Sequence, residues 1–313
     1  MHLRTSLRRS LALIILSLFA ANAAFAQIAV VVGETPEGRT VRHGLGETVV
    51  PANPQRIVSL HNIFSEALVA FGHPPVGATV RPTGLPDQLA DGLADVVTIG
   101  ESGSPDFEAI LALEPDLILG QADVHGEFYD LLKAIAPTVL LDEPEAEWRE
   151  WFSALGAALG MQVEADAAVA AYDSEAERVK ARLAAELPGE TVLVLRVREK
   201  DIRVYGGSRR SGPVLYTDLG LTPHPLVPLD KEHETISNEI IPELTADHIF
   251  LMVEDEARQA GLEATALWQG LPAVQAGHVY RVNMEPWNRS TGPISFGAIV
   301  SDVEQLLLGG ALR

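Results

Sequence analysis

Arginines in the second half of the chain have a spacing that indicates anion chemistry. Arg196 and Arg198 lie two residues apart in an otherwise apolar stretch, so the alternation of a β-strand puts both side chains on one face. Arg203 and Tyr205 alternate in the same way in the next apolar stretch, and Arg209 follows shortly afterwards. Guanidinium groups bind carboxylate or phosphate through paired hydrogen bonds. This pattern predicts a site for an anionic ligand, with surface ion pairing as the alternative for any single arginine.

Three other segments add candidate ligand contacts. Arg81 ends a predicted strand in the first half, and Trp287 and Arg289 lie in a segment rich in Pro and Gly. A tryptophan supplies a flat apolar wall beside a ligand. The segment Gly207–Gly212 contains two arginines between glycines and serines, which predicts either a flexible turn or a loop that presents its arginines and backbone N–H groups to a cleft.

Motifs of catalytic sites are missing from the chain. It contains no G-x-S-x-G, no G-x-G-x-x-G and no G-x-x-x-x-G-K-[ST] sequence. Its 9 histidines form neither H-x-x-x-H nor H-E-x-x-H, so we expect neither a zinc enzyme nor any catalytic residue. An exported hydrolase with an unrecognised nucleophile is an alternative class. A direct metal site built from distant residues such as His61, His125 and His233 stays open.

Acidic residues dominate the charge of the 313-residue chain. It carries 43 Asp and Glu against 23 Lys and Arg, for a formal net charge of −20. This charge excludes general binding to nucleic acid or to anionic membranes, because both repel it. A hydrophobic fraction of 47% excludes a disordered chain. The absence of cysteine excludes a disulfide scaffold, an iron–sulfur site and a thiol nucleophile.

Residues 1–26 have the pattern of a cleavable secretory signal peptide. A positively charged start precedes the apolar run 11–20, and Ala-Phe-Ala at 24–26 is a small-x-small cleavage site. The apolar run is too short for a membrane anchor, and no cysteine follows the cleavage site to carry a lipid. We therefore expect a soluble, monomeric protein exported to a Gram-negative periplasm.

Strand and helix patterns alternate on both sides of a long helical segment, which predicts an α/β fold with a parallel central sheet in each half. Residues 40–50 resemble a hairpin, and helices are predicted to start with Asn62 as N-cap and with Ser104-Pro105 as N-cap and first residue. From 145 to 187 only helical periodicity is present.

The predicted organisation has four parts. They are the signal peptide (1–26), an N-terminal α/β lobe (27–144), a linking helical segment (145–187) and a C-terminal α/β lobe (188–313). A single long helix bridging two lobes predicts a ligand cleft between them.

Several segments, taken in order, resemble periplasmic substrate-binding proteins for iron–siderophores, which belong to the cobalamin/ferric-siderophore group of ABC importers. The matching segments are 39–48, 50–58, 66–68, 71–72, 76–77, 99–100, 105–119, 205–207, 218–221, 236–239 and 246–250. The most specific is 105–119, with the sequence PDFEAILALEPDLIL. The similarity covers nearly the whole chain from about residue 39.

The resemblance implies two lobes bridged by a long helix, with a ferric siderophore between them that is delivered to the permease of an inner-membrane ABC importer. The residues at the matching ligand positions are Arg81, Gln121, Arg196, Arg203, Tyr205, Arg209, Trp287 and Arg289. Glu108 and Glu239 match the acidic residues that dock onto permease arginines. Each is predicted in the first turn of a helix, where stabilisation of the helix dipole is the alternative role.

The resemblance also implies that the siderophore coordinates the iron, so the protein needs no cofactor and no metal ligands. Relatives often have a basic residue where this chain has the segment 121–123, Gln-Ala-Asp, and the difference favours a carboxylate or hydroxamate–citrate siderophore. Haem or cobalamin is the alternative ligand, and Tyr205, Tyr216 or His125 would then be candidates for a haem axial ligand. A ligand sensor that signals to a partner is a further alternative.

Overall fold

The computed structural model describes residues 29–143 and 147–309, so the predicted signal peptide lies outside the described residues. Backbone contacts divide the chain into two compact units. The first unit comprises residues up to Leu85 together with Leu89–Ala167, and the second comprises Pro86–Gln88 and the chain from Ala168 onwards. The division therefore falls inside the segment that was predicted to link two lobes.

The first unit begins with a small antiparallel sheet. Its strands are β1 (Val30–Thr35), β2 (Gly38–His43) and β3 (Gly46–Pro51), in the order β1-β2-β3. His43 pairs with Gly46 across the turn, which confirms the predicted hairpin at 40–50.

A second sheet forms the centre of the first unit. Its strands are β4 (Ile57–Ser59), β5 (Gly77–Val80), β6 (Val97–Glu101), β7 (Ser104–Pro105), β8 (Leu117–Gly120) and β9 (Thr138–Leu140), in the order β7-β6-β5-β4-β8-β9. All neighbours are parallel except β6 and β7. The accompanying helices are α1 (Asn62–Ala70), α2 (Phe107–Ala112), α3 (Ala122–His125) and α4 (Tyr129–Ile135). The predicted alternation of parallel strands and helices is thus confirmed for this half.

Two predicted helix starts were wrong. Ser104 and Pro105 do not begin α2, because they pair antiparallel with β6 as strand β7. Asp106 caps α2 instead, and its carboxylate accepts hydrogen bonds from the backbone N–H groups of Glu108 and Ala109, both at 3.0 Å. The N-cap of α1 is His61, one residue before the predicted Asn62.

The segment predicted as one long helix contains two helices, α5 (Trp148–Leu159) and α6 (Gln162–Glu186). Gly160 ends α5 with φ 76°, a left-handed conformation that glycine adopts without steric cost. Helix α6, 25 residues long, is the predicted long helix, and its residues belong to both units. Its buried residues Tyr172, Ala176, Val179 and Leu183 follow the predicted helical spacing.

The second unit contains a mixed sheet. Its strands are β10 (Thr191–Val197), β11 (Ile202–Tyr205), β12 (Thr222–Pro223), β13 (His233–Ile236), β14 (His248–Val253) and β15 (Val279–Arg281), in the order β13-β11-β10-β14-β15 with β12 also on β10. The prediction of a parallel sheet was wrong for β11 and β13, which are antiparallel to their neighbours. Only residues 198–201 join β10 to β11, and a parallel pair needs a much longer crossover.

The second unit also contains short helices. They are π-helices at Pro213–Asp218, Glu285–Arg289 and Glu304–Leu308, a 3-10 helix at Asn238–Glu243, α7 (Glu256–Glu263), α8 (Ala266–Gln269), α9 (Pro272–Ala276) and α10 (Pro293–Val303). Thr265 caps α8, and its side chain accepts from the backbone N–H of Trp268. Within the described ranges, no helix is long and apolar enough to cross a membrane.

Candidate functional site

An arginine ladder lies on one face of the second unit's sheet; we define it as Arg196, Arg198 and Arg203 with Glu254 and Asp201. Arg196 on β10 pairs directly with Arg203 on β11, as the predicted alternation requires. Glu254 Oε2 accepts from Arg196 Nη2 at 2.8 Å and from Arg198 Nε at 3.2 Å. Asp201 accepts from Arg198 Nη1 and from Arg203 Nε, each at 3.2 Å. Two carboxylates thus hold three guanidinium groups in place.

The charges of the arginine ladder shift the acidity of its own carboxylates. Within the ladder, three guanidinium groups face two carboxylates. Burial alone would raise the pKa of Asp201, but the hydrogen bond from Arg203 and the charges of Arg203 and Arg198 lower it below its usual value. Both carboxylates were missed in the sequence. Asp201 lies in the β10–β11 hairpin, and Glu254 follows β14, whose position beside β10 is a long-range pairing.

Tyr205 supports the arginine ladder through a hydrogen bond with Arg196. Its side chain is fully buried, and its hydroxyl accepts a hydrogen bond from Arg196 Nη1 at 2.9 Å. His233 pairs with Tyr205 across β13 and β11, with ring centroids 5.7 Å apart. Burial and the charge of Arg203 lower the pKa of His233, so the imidazole is neutral at pH 7. Tyr205 therefore fixes the orientation of Arg196 and does not present its phenol to solvent.

The loop after β11 is fixed in place by backbone contacts. The N–H of Gly206 donates to the carbonyl of Glu232 at 2.7 Å, and that of Ser208 donates to Lys231 at 3.3 Å. A Cβ at Gly206 would overlap the carbonyl oxygens of Pro228 and Lys231. These contacts argue against a flexible turn and place half-buried Arg209 on an ordered loop.

Trp287 and Arg289 lie on the π-helix Glu285–Arg289. The Trp287 ring is fully buried, packs against Phe250 at 4.8 Å between centroids, and donates from Nε1 to Asp302 Oδ2 at 2.7 Å. The structure thus places Trp287 in the core of the second unit and not on an exposed ligand wall. Arg289 is half-buried, and its Nη1 donates to Glu285 Oε1 at 2.8 Å.

In the first unit, Arg81 and Gln121 follow the carboxyl ends of β5 and β8, the strands on either side of β4. Arg81 Nη2 donates to Asn62 Oδ1 at 3.3 Å, and the Arg81 backbone closes a tight turn with Gly84. Gln121 is buried, and its backbone N–H donates to His125 Nδ1 at 2.9 Å. Carboxyl ends of parallel strands are the usual location of ligand sites in α/β folds.

Two of the alternative metal or haem ligands, His125 and Tyr216, pack against other protein groups. His125 is fully buried, its Nδ1 accepts from the Gln121 N–H, and its Nε2 lies 2.9 Å from the Ser102 carbonyl oxygen. Burial lowers the pKa of His125, although the hydrogen bond to the Ser102 carbonyl oxygen opposes the change. Burial raises the pKa of Tyr216, which packs against the core of the second unit. Within the described part of the chain, no three His, Asp or Glu side chains are placed to hold a metal ion.

Glu108 and Glu239 both lie in the first turn of a helix, as predicted, and both are exposed. Glu108 is in α2 and Glu239 in the 3-10 helix Asn238–Glu243. This position is compatible with stabilisation of the helix dipole and with docking to a permease. An exposed carboxylate in a first turn interacts with the helix dipole and is also accessible to a partner.

The sequence is similar to known binding proteins over most of its length. The family model described as "Periplasmic binding protein" matches residues 57–285. The chain is 32% identical over 287 residues to the Bacillus subtilis "Probable siderophore-binding lipoprotein YfiY", which covers 86% of this chain and 88% of the relative. It is 30% identical over 275 residues to the "Fe(3+)-citrate-binding protein YfmC" of the same organism, with 86% of each chain covered.

The fold is also similar to solved structures. The crystal structure of Staphylococcus aureus SirA complexed with staphyloferrin B matches with a TM-score of 0.70 and 26% identity, covering 86% of this chain and 98% of that chain. These similarities confirm the resemblance to siderophore-binding proteins that the ordered segments predicted. The chain belongs to the periplasmic binding protein family, which is a family of substrate-binding proteins.

Proposed function

We propose that this protein is exported to the periplasm, binds a ferric siderophore of the carboxylate or hydroxamate–citrate type, and delivers it to an ABC importer in the inner membrane. The observation that carries the proposal is the arginine ladder, in which three guanidinium groups face two carboxylates. An incoming carboxylate supplies a further anion, which can accept hydrogen bonds from guanidinium N–H groups that Glu254, Asp201 and Tyr205 leave unused. The names of two relatives, a siderophore-binding lipoprotein and an Fe(3+)-citrate-binding protein, support the same class of ligand.

The proposed ligand contacts form two groups. Arg196, Arg203, Arg209 and Arg289 contribute from the second unit, and Arg81 and Gln121 contribute from the first. Tyr205 acts through Arg196, because its buried hydroxyl is hydrogen-bonded to that guanidinium. Iron is cargo in this proposal, and the siderophore supplies all of its ligands.

The test is equilibrium dialysis of the purified mature protein against ⁵⁵Fe-labelled ferric chelates. The set contains ferric citrate, a ferric hydroxamate–citrate siderophore, a ferric tris-hydroxamate and a ferric tris-catecholate. We expect saturable one-to-one binding of at least one of the first two and weaker binding of the tris-catecholate. Haem and cobalamin, followed in parallel dialysis by their absorbance, should not bind. Failure to bind any ferric chelate, or preferential binding of haem or cobalamin, would contradict the proposal.

Delivery to an importer has a separate test. Reversing the charge with Glu108→Lys and Glu239→Lys should abolish uptake of the ⁵⁵Fe chelate by a host that lacks its own copy of the gene. Chelate affinity should be unchanged, because both carboxylates are exposed on short helices and neither belongs to the arginine ladder. Normal uptake by the doubly reversed protein would contradict the docking role of the two carboxylates, and the absence of uptake even with the unchanged protein would favour the sensor alternative over transport.

A further inference from the structure

The side chain of Gln88 is hydrogen-bonded to both sides of the turn that follows the π-helix Glu285–Arg289. Its Nε2 donates to Ser290 Oγ at 3.2 Å and to Ser295 Oγ at 2.9 Å. Ser290 directly follows Arg289, and Ser295 lies in the first turn of α10. One amide group therefore joins the end of the π-helix to the start of the next helix.

The turn between these two helices is short and lies outside regular structure. Only residues 290–292 separate the helices, and Gly292 has φ 146°, a value that favours glycine. Ser290 and Thr291 are 1% and 8% exposed. Because no helix extends across these three residues, the hydrogen bonds from Gln88 contribute to holding Arg289, the last residue of the π-helix, in place.

Gln88 reaches this turn from a distant part of the chain. Residues Pro86–Gln88 belong to the second unit by their backbone contacts, whereas the chain on either side of them belongs to the first. Pro86 and Leu89 are both buried, so the backbone is anchored before and after Gln88. The amide thus has a fixed origin, although its serine partners lie 202 and 207 residues further along the chain.

The other polar atom of this amide has no partner among the described residues. Gln88 Oε1 is buried and accepts no hydrogen bond from them. A buried acceptor that is left unpaired lowers the stability of a fold. Methionine has a similar size and would avoid this loss, so stability alone does not account for a glutamine at this position.

We propose that Gln88 is a positioning residue for the ferric chelate, and that it acts by holding Arg289 in the orientation in which its guanidinium contacts the chelate. This inference rests on the proposed function, because it requires Arg289 to be a ligand contact. Two groups then fix this arginine: Glu285 Oε1 accepts from its Nη1 at 2.8 Å, and Gln88 secures the residue that follows it. Gln88 itself does not touch the chelate.

The experiment is a double-mutant cycle in chelate affinity with Gln88→Met, Arg289→Met and the double variant. Affinity is measured by dialysis with ⁵⁵Fe-labelled ferric citrate and, in parallel, with a ferric hydroxamate–citrate siderophore. Gln88→Met keeps the length of the side chain and removes its amide. Gln269→Met is the matched control, since Gln269 Nε2 also donates within the second unit, to the Glu263 carbonyl at 2.8 Å, but from α8.

We expect Gln88→Met to weaken chelate binding roughly fivefold and Arg289→Met roughly tenfold. The double variant should bind like Arg289→Met alone, because Gln88 has no effect once the guanidinium that it positions is gone. Ser290→Ala removes one of the two hydrogen bonds while Gln88 stays, and it should weaken binding roughly twofold. Gln269→Met should bind as the unchanged protein does.

Thermal unfolding separates positioning from a purely structural role. The midpoint of Gln88→Met should stay close to that of the unchanged protein, because removal of the unpaired acceptor offsets the two lost hydrogen bonds. Chelate affinity should therefore fall without a matching loss of stability.

Three results would overturn the inference. The first is a chelate affinity of Gln88→Met equal to that of Gln269→Met. The second is an additive loss of roughly fiftyfold in the double variant, which would show that Gln88 acts independently of Arg289. The third is an unchanged affinity of Arg289→Met. Absence of chelate binding by the unchanged protein is a different failure, because it removes the proposed function itself.

Discussion

The polar groups in the two units are assembled by different strand arrangements. In the first unit, Arg81 and Gln121 follow separate parallel strands that are distant in sequence, and each has its own partner, the Asn62 side chain for Arg81 and the His125 side chain for the Gln121 backbone. In the second unit, Arg196 and Arg203 come from one hairpin and pair directly across it. A hairpin brings residues that are close in sequence face to face, so a dense cationic surface needs only a short segment of chain. We therefore expect the second unit to contribute most of the ligand affinity.

The largest expected effect is the difference in chelate affinity between variants at Arg196 and at Arg81. Replacement Arg196→Met removes the most buried guanidinium of the arginine ladder and leaves Glu254 and Tyr205 without its hydrogen bonds. We expect chelate affinity to fall about a hundredfold, against roughly fivefold for Arg81→Met. Dialysis with ferric citrate measures both. Arg178→Met is the control, because Arg178 pairs with Glu175 and Glu304 away from the arginine ladder, and its affinity should be unchanged.

Equal losses for Arg196→Met and Arg81→Met would show that the two units contribute alike. A loss in Arg178→Met would indicate that overall charge, and not the arginine ladder, governs binding.

The next effect concerns acid stability in the first unit. Burial first, and the charge of Lys133 second, lower the pKa of His43 to about 4. In the unfolded chain this histidine binds a proton near its ordinary pKa of 6.5. The contribution of neutral His43 to the free energy of unfolding is therefore fully present above that pH and is lost as the pH falls towards 4. We expect the free energy of unfolding to drop by about 2 kcal/mol between pH 7 and pH 5 from His43 alone.

The local structure explains why His43 resists protonation. Its Nδ1 accepts from the Leu45 N–H at 3.4 Å, and its Nε2 lies 3.1 Å from Thr48 Oγ1, whose own proton goes to the Thr138 carbonyl. A proton on Nδ1 would point at the Leu45 N–H, which is itself a hydrogen-bond donor and cannot accept it. Urea unfolding of His43→Gln across this pH range should show a shallower slope, with the remainder due to other buried histidines such as His125. An unchanged slope would contradict this assignment.

The smallest expected effect concerns the N-caps of two helices, α2 in the first unit and α7 in the second. The Asp106 carboxylate accepts from two backbone N–H groups at the start of α2, and Asp255 accepts from one at the start of α7. Asp106→Ala and Asp255→Ala should each lower the free energy of unfolding by about 1 kcal/mol, with the larger loss at Asp106. Asp106→Asn keeps a side-chain acceptor, so its free energy of unfolding should be close to that of the unchanged protein in the same urea titrations. A larger loss at Asp255 would reverse the expected order.

The sequence predicted elements whose cause is local. Local patterns located the hairpin at 40–50 and the alternation of strands and helices in each half, and the helical periodicity at 145–187 identified the segment that contains the long helix. The antiparallel direction of β11 was missed although its cause, the short connection at 198–201, is visible in the chain. Gly160 similarly marks the end of α5.

Features with long-range causes could not be predicted in this way. Arginines were identified as candidate site residues from their spacing, but Glu254 reaches Arg196 only because β14 pairs with β10. The burial of Trp287 depends on Phe250 and Asp302, which no local pattern connects to it. The Pro- and Gly-rich surroundings of Trp287 indicated an exposed loop, whereas tertiary packing makes it a core residue.

The burial of the tryptophans has a spectroscopic consequence. Trp148 and Trp151 belong to the first unit, Trp268 and Trp287 to the second, and all four are at most 4% exposed. Indoles shielded from water emit at shorter wavelengths than exposed ones, so denaturation of either unit should shift the emission to the red. Replacing one pair by phenylalanine would leave a protein whose fluorescence follows a single unit, and melting curves of the two pair variants would show whether the units denature together or in sequence.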